Sequence, residues 1–183
     1  MCWRNYLIPP YRRIYGDRME LMDAIRKRCS VRSYEERPID DATIMALIEA
    51  ARLSPSARNR QHRKYVVIEN PGRDPAMIEA CNGQKWIAEA PILIAGVADP
   101  TVTNWADVDV AIAFEHIVLE AVECGLGSCW VGAFKEDEVK KLLGVPGDKR
   151  IVALLTVGYP KGEHSQKPKD PLEDVWAKEK YAW

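Results

Sequence analysis

Apolar residues recur along the chain in two rhythms. Over residues 20–29, Leu21, Met22, Ile25 and Cys29 fall at three- and four-residue steps, the spacing of a helix with one buried face. A clearer stripe of Ile44, Leu47, Ile48 and Ala51 follows the cap candidate Asp40 and predicts a second helix. It should stop near Leu53, because Pro55 disfavours helical backbone at Ser54. The run 65–68 (Tyr-Val-Val-Ile) reads as a buried strand, and a further helix is expected around 75–81. Residues 92–98 are apolar without alternation, as in a strand covered on both faces. The longest helical pattern, 106–124, is apolar on most of its circumference, with a polar strip of Asp109, His116, Glu120 and Glu123. Such a helix runs through a domain centre or forms a subunit interface, so an oligomer is expected. Gly125 closes it, residues 129–134 read as extended, and a short helix (136–143) and a strand (151–157) complete the pattern.

Composition narrows the class. At 183 residues the chain suits one domain, placed at 19–183, that buries roughly 70% of its unfolded surface without staples. A net charge of -1 supplies no field for a polyanion, which argues against nucleic acid as partner. The five cysteines are scattered without CxxC spacing and the three histidines are dispersed, which argues against zinc and a disulfide framework and fits a reducing cytoplasm. No apolar run approaches the roughly 18 residues that span a bilayer. Residues 1–18 carry Trp3, Tyr6, Tyr11 and Tyr15 among arginines and the Pro9-Pro10 pair, without helical or strand period. They read as an arm, either native and docking on a partner subunit or an artefact of the start site, since Met19 offers another start.

Two stretches carry candidate chemistry, each with a plain alternative. Arg28-Cys29-Ser30-Val31-Arg32-Ser33-Tyr34 follows the first helix, and its two guanidiniums flank a hydroxyl. They suit a phosphate or carboxylate, although bases at a helix end are also favoured by the macrodipole. Ser54-Pro55-Ser56-Ala57-Arg58-Asn59-Arg60-Gln61 reads as a turn, or as a loop whose Asn59 and Gln61 amides serve an aromatic heterocycle. Gly125-Leu126-Gly127-Ser128 is no dinucleotide fingerprint, because it follows a helix and precedes an extended segment, and no phosphate-binding GxxxxGK[ST] run exists. His116 has no partner motif and is read as structural. Paired-carboxylate, Ser-His-Asp and metal-ligand motifs are not found either.

Four ordered motifs resemble the FMN-dependent nitroreductase family: 28–32 (Arg-Cys-Ser-Val-Arg), 54–61, 125–132 (Gly-Leu-Gly-Ser-Cys-Trp-Val-Gly), and Gly158-Tyr159-Pro160 followed by Lys167-Pro168-Lys169-Asp170-Pro171-Leu172. The resemblance covers about 19–175 and implies an α+β fold with a central mixed sheet flanked by helices, an intertwined homodimer, and FMN at its interface. It implies that Arg28, Ser30, Arg32, Lys167 and Lys169 hold the phosphate and ribityl end. Pro55, Ser56 and Asn59 then come from a loop crossing to the partner's flavin, with Gln61 facing ring or ribityl chain. Trp130, Val131 and Gly132 line the flavin, the Gly132 N–H aimed at N5, and Asn82, Gln84 and Lys85 form a further ring edge. It also implies hydride transfer from NADH or NADPH through N5 to a nitroaromatic, quinone or related electrophile by a ping-pong mechanism, with no protein nucleophile. The alternatives are a specialised dehalogenase-type or flavin-fragmenting member of the same fold and a flavin-storing dimer without turnover. The sequence departs from the family in having His62-Arg63-Lys64 where a Pro-Trp pair often follows the loop glutamine. It also has little room for a helical lid between Val97 and Trp105, which implies a small or open acceptor pocket walled by Trp105, Trp130 or the tail aromatics Trp176, Tyr181 and Trp183, unless these simply pack.

Overall fold

The computed structural model describes residues 19–181; the arm at 1–18 and Trp183 lie outside the described residues. Helix α1 spans Leu21–Lys27 and α2 spans Asp41–Leu53. Asp40 caps α2 by accepting from the Thr43 N–H and the Thr43 hydroxyl, both at 2.9 Å. The helix ends where Pro55 requires, with Ser54 already extended. Strand β1 (Lys64–Glu69) leads to α3 (Pro75–Ala80), then β2 (Ile92–Ala98) and the long α4 (Ala106–Glu123). Gly125, at φ 70°, reverses the chain after α4 and lets the Leu126 N–H reach Ala121 O at 2.7 Å, so the last helical carbonyls are satisfied. Strand β3 (Gly127–Val131), helix α5 (Glu136–Leu143) and strand β4 (Arg150–Gly158) follow.

The strands form one sheet in the order β1-β2-β4-β3. The expected central sheet flanked by helices is present, but its strand pairs are antiparallel throughout the described residues. Parallel pairing is confined to an isolated bridge, Ser30 with Ser128. The extended segment expected at 129–134 sits earlier, because β3 takes its register from Gly127 opposite Gly158 and Val131 opposite Leu154.

The unalternating pattern of β2 is explained by burial of all seven residues. Ile92 and Ile94 pack with α2 and α4, while Leu93, Ala95 and Val97 pack on the other face with Met77, Ile87, Val131 and Val139. Helix α4 lies close to the sheet at Gly96, where an added Cβ would meet Val110 Cγ1 at 2.6 Å and Phe114 Cζ at 2.8 Å. The polar strip expected along α4 is broken at Asp109, which is buried, whereas His116 is exposed with Nδ1 2.9 Å from Ile112 O.

Helix α1 corrects the reading of its stripe. Ala24 is its buried residue, and Leu21, Met22 and Ile25 are 64%, 52% and 40% exposed. The amphipathic spacing is real, but in this single chain α1 turns that side toward an open groove of about 700 Å³ shared with Ala46, Leu53 and Leu119.

Beneath residues 28–34 lies a buried hydroxyl pair. Tyr34 Oη is 2.7 Å from both Val31 O and Thr156 Oγ1, and Thr156 Oγ1 is 3.2 Å from Cys129 O. Two hydroxyls carry two protons for these three contacts. The shortest pairs are satisfied when Tyr34 donates to Val31 O and Thr156 donates to Tyr34. Burial pushes the Tyr34 phenol well above its ordinary range, so it remains a neutral donor. Tyr34→Phe should leave Val31 O short of its hydroxyl partner, while Thr156 turns its proton to Cys129 O, and lower stability by about 1–3 kcal/mol in urea unfolding. Burial likewise pushes the Cys81 thiol up to about 11 and raises that of Cys129. A maleimide at about pH 8 should therefore leave both unlabelled in the native protein and label them once denaturant is added.

Candidate functional site

The basic run is laid along β3. Helix α1 stops with the Arg28 N–H on Ala24 O at 2.9 Å, and the extended chain beyond it docks through the Val31 N–H on Ser128 O, also at 2.9 Å. Gly127 makes room, because a Cβ there would press into the Val31 side chain and Pro160. Arg28, Ser30 and Arg32 gather about Cys129: burial raises its thiol, and Arg32, the Ser30 hydroxyl and Arg28 oppose that rise. Arg32 also stacks over Trp86, 5.6 Å from the ring centroid. Among the described residues, neither guanidinium has a carboxylate within 4.0 Å. The C-terminal segment joins them through Gln166, whose side-chain amide donates to Ile25 O and Arg28 O at 2.7 Å and so brings the exposed Lys167 and Lys169 to this edge.

Farther along β3, Trp130 is 37% exposed and rests edge-on against Phe114 with centroids 5.2 Å apart. Val131 turns its side chain into the core, which leaves its backbone alone available to a ligand. Gly132 is exposed, and a Cβ there would meet nothing within 4 Å, so packing does not require the glycine. Gln84 is tied down by donating to Cys81 O and Ala133 O, each at 2.8 Å, and thereby holds exposed Asn82 and Lys85 near Gly132. Two unpaired guanidiniums, a hydroxyl and an uncrowded glycine fit a group with an anionic end and a flat body.

Residues 55–61 form a second group. The Ala57 N–H donates to the buried carboxylate of Asp109 at 3.0 and 3.1 Å. Ser56 Oγ accepts from the Gln61 N–H at 3.1 Å, and Arg60 donates to Val102 O. Arg58, Asn59 and Gln61 have φ of 53°, 54° and 52°, left-handed conformations that non-glycine residues adopt at a cost. Pro55, Ser56, Ala57, Trp105, Asp109 and Ile112 line a cavity of about 290 Å³. Trp105 is 61% exposed, Trp176 and Tyr181 are exposed too, and residues 99–105 hold turns without a lid helix, in line with an open pocket.

Within one chain the two groups are separate. Arg28 lies near Glu115 of α4, whose carboxyl is raised by burial against the pull of Arg28 and His116, whereas the 55–61 loop is fastened nearer the start of α4. Among the described residues, no hydrogen bond or ion pair links them. Sequence reasoning missed Tyr34, Trp86, Asp109 and Gln166. Tyr34 adjoins the basic run, but the other three act across long sequence separations that no local spacing records.

The sequence profile described as Nitroreductase family matches residues 25–91 and 72–159, most of the chain. A nitroreductase family protein from Clostridium novyi NT is 32% identical, with a TM-score of 0.71 over 78% of this chain and 86% of that one. An FMN reductase [NAD(P)H] of Bacillus subtilis is 26% identical over 88% of this chain and 74% of its own length. A 5,6-dimethylbenzimidazole synthase of Rhodospirillum rubrum is 27% identical over 75% and 80%. With its profile match and its fold, the chain belongs to the nitroreductase family.

Proposed function

We propose that the chain is an FMN-dependent oxidoreductase that takes electrons from NADH or NADPH and passes them to nitroaromatic, quinone or related electrophilic small molecules. It works as a cytoplasmic homodimer. The observation that carries this reading is the sheet edge bearing Arg28, Ser30 and Arg32, with no carboxylate within 4.0 Å of either guanidinium among the described residues, and the uncrowded Gly132. From the Ser128 bridge to Gly132 the strand covers roughly 13 Å, enough to separate a phosphate from a ring.

Bound there, FMN supplies the redox chemistry, exchanging an electron pair with nicotinamide and acceptor in turn. The chain's own residues bind and orient. Arg28 and Arg32, assisted by Lys167 and Lys169, neutralise the phosphate, and Trp86 keeps Arg32 flat against the fold. Gly132 admits a ring close to its backbone N–H. Pro55, Ser56, Asn59 and Gln61, remote from this edge in their own chain, serve the partner's cofactor. A dimer formed through the apolar groove of α1, α2 and α4 accounts for the exposure of Leu21, Ile25 and Leu53, which line it. The lidless 99–105 segment leaves the Trp105 side open to acceptors of varied shape.

Similarity to a 5,6-dimethylbenzimidazole synthase supports a second reading, in which the flavin itself is broken down into product. One experiment separates the two. Protein reduced anaerobically by NADH or NADPH should bleach, then regain its full flavin absorbance when a quinone or air is admitted; permanent loss of the flavin spectrum would favour the second reading. A flavin that neither nucleotide bleaches would point to storage.

Arg32→Ala should weaken FMN binding by about 1.5–3 kcal/mol in fluorescence titration of the apoprotein, and an unchanged Kd would remove the phosphate assignment. Gly132→Val should leave the unfolding midpoint within the roughly 0.5 kcal/mol of a surface change, since a Cβ has free space there. The same variant should sharply weaken FMN binding.

A further inference from the structure

Just ahead of β1 the chain has His62-Arg63, and both side chains are buried. Arg63 is 6% exposed, and its guanidinium is almost fully occupied. It donates to Tyr65 Oη and Pro55 O at 2.9 Å, to Ser54 Oγ at 2.7 Å, to Ala51 O at 3.4 Å and to Ser54 O. Three of these acceptors are carbonyls, of Ala51 in the last turn of α2, of Ser54 just after it and of Pro55 at the start of the loop, and the other two are the hydroxyls of Ser54 and of Tyr65 in β1. At the other side Asp109, 2% exposed, accepts the Ala57 N–H with both carboxylate oxygens. His62 backs that carboxylate, with Nε2 3.8 Å from Oδ2, and neither ring nitrogen has a hydrogen-bond partner among the described residues.

The left-handed residues Arg58, Asn59 and Gln61 lie in the chain between Ala57, held by Asp109, and Arg63, whose side chain reaches back to Ser54 and Pro55. Left-handed backbone at three non-glycine positions relaxes unless something outside the segment over-determines it. Burying a guanidinium and a carboxylate is itself expensive, so the pair is a poor device for stability alone. What charged groups provide, and an apolar pair does not, is directional grip on particular backbone atoms.

We propose that Arg63 and Asp109 form a two-point ionic clamp that holds residues 55–61 in the shape needed to present Ser56, Asn59 and Gln61 to the cofactor. Both are positioning residues: they touch the loop backbone, and the loop touches the ligand. This assignment rests on the reading of the loop as a flavin contact and adds what fixes its geometry.

The test uses the full chain and two readouts, backbone amide exchange in the flavin-free protein and FMN titration. In Asp109→Leu the Ala57 amide should exchange at least about tenfold faster and the FMN Kd should rise about tenfold or more, as expected for a lost charged hydrogen bond. Asp109→Asn, which keeps an acceptor oxygen, should fall between this variant and the wild type in both. Arg63→Lys, with one point charge in place of a fork, should loosen the same loop. Val110→Ala, which opens a cavity under α4 beside Asp109 without touching the loop, should leave both readouts within about twofold of wild type. Unchanged Ala57 exchange in both Asp109 variants would overturn the clamp, as would an equal effect of Val110→Ala, because the loop would then follow general stability. If Asp109→Leu does not fold, Asp109→Asn and Arg63→Lys decide the matter. Faster Ala57 exchange with unaltered FMN affinity would overturn the clamp's role in binding. If the wild-type chain binds no FMN, the reading of the site fails, while amide exchange still decides whether the clamp exists.

Discussion

The Tyr34 hydroxyl, buried between the Val31 carbonyl and the Thr156 side chain, couples the basic run after α1 to strand β4. Backbone bonds hold the same connection along its length, from the Val31 N–H to Ser128 O, the Lys161 N–H to Ser33 O and the Glu35 N–H to Tyr159 O, and the Glu89 carboxylate accepts from the Ser33 hydroxyl and the Tyr34 N–H. A buried pair of hydroxyls gives that connection a single resting position, because any shift strands a polar group away from water. The glycines at 127 and 158 belong to the same arrangement: an added Cβ would strike Val31 at the first and Tyr34 or Pro91 at the second. The basic run is thus held firmly because the layer beneath it is.

Helix α4 is the second organising element. Its apolar faces fill the centre of the domain, with Val110, Ala113, Phe114, Ile117 and Ala121 fully buried. Along its length it serves the two candidate ligand surfaces differently. Phe114 buttresses Trp130 beside Gly132, and Asp109 fastens the 55–61 loop. A helix packed this tightly makes a stiff rod, so groups attached to different turns keep a fixed relation. That relation is what two half-sites need if each chain is to complete the other's cofactor site.

The open groove beside α1 fits the same picture. Its walls are apolar, its rim carries Glu49, His116 and Glu123, and the exposed Leu21, Met22, Ile25 and Leu53 are more than a lone domain usually leaves in water. Covering it by a second copy gives the amphipathic spacing of α1 a use that the single chain lacks.

The sequence by itself determined the elements and their order. Asp40, Pro55, Gly125 and the apolar spacings of α2, α4, α5 and β2 act over a few residues, so local reading found these elements nearly at their observed ends. It also pointed to the family, because family motifs in order stand for a shared fold. Only the tertiary structure decided what each neighbourhood is made of. That Asp109 leaves its polar strip to hold Ala57, that Gln166 reaches Arg28, and that Arg63 turns inward depend on contacts between distant segments. Sequence spacing carries the periodicity of an element, but the partner of a polar side chain is set by where the sheet and helices bring the chain back on itself. For the same reason the stripe of α1 was legible while the surface that covers it was not, since periodicity marks a face as apolar without naming what packs against it.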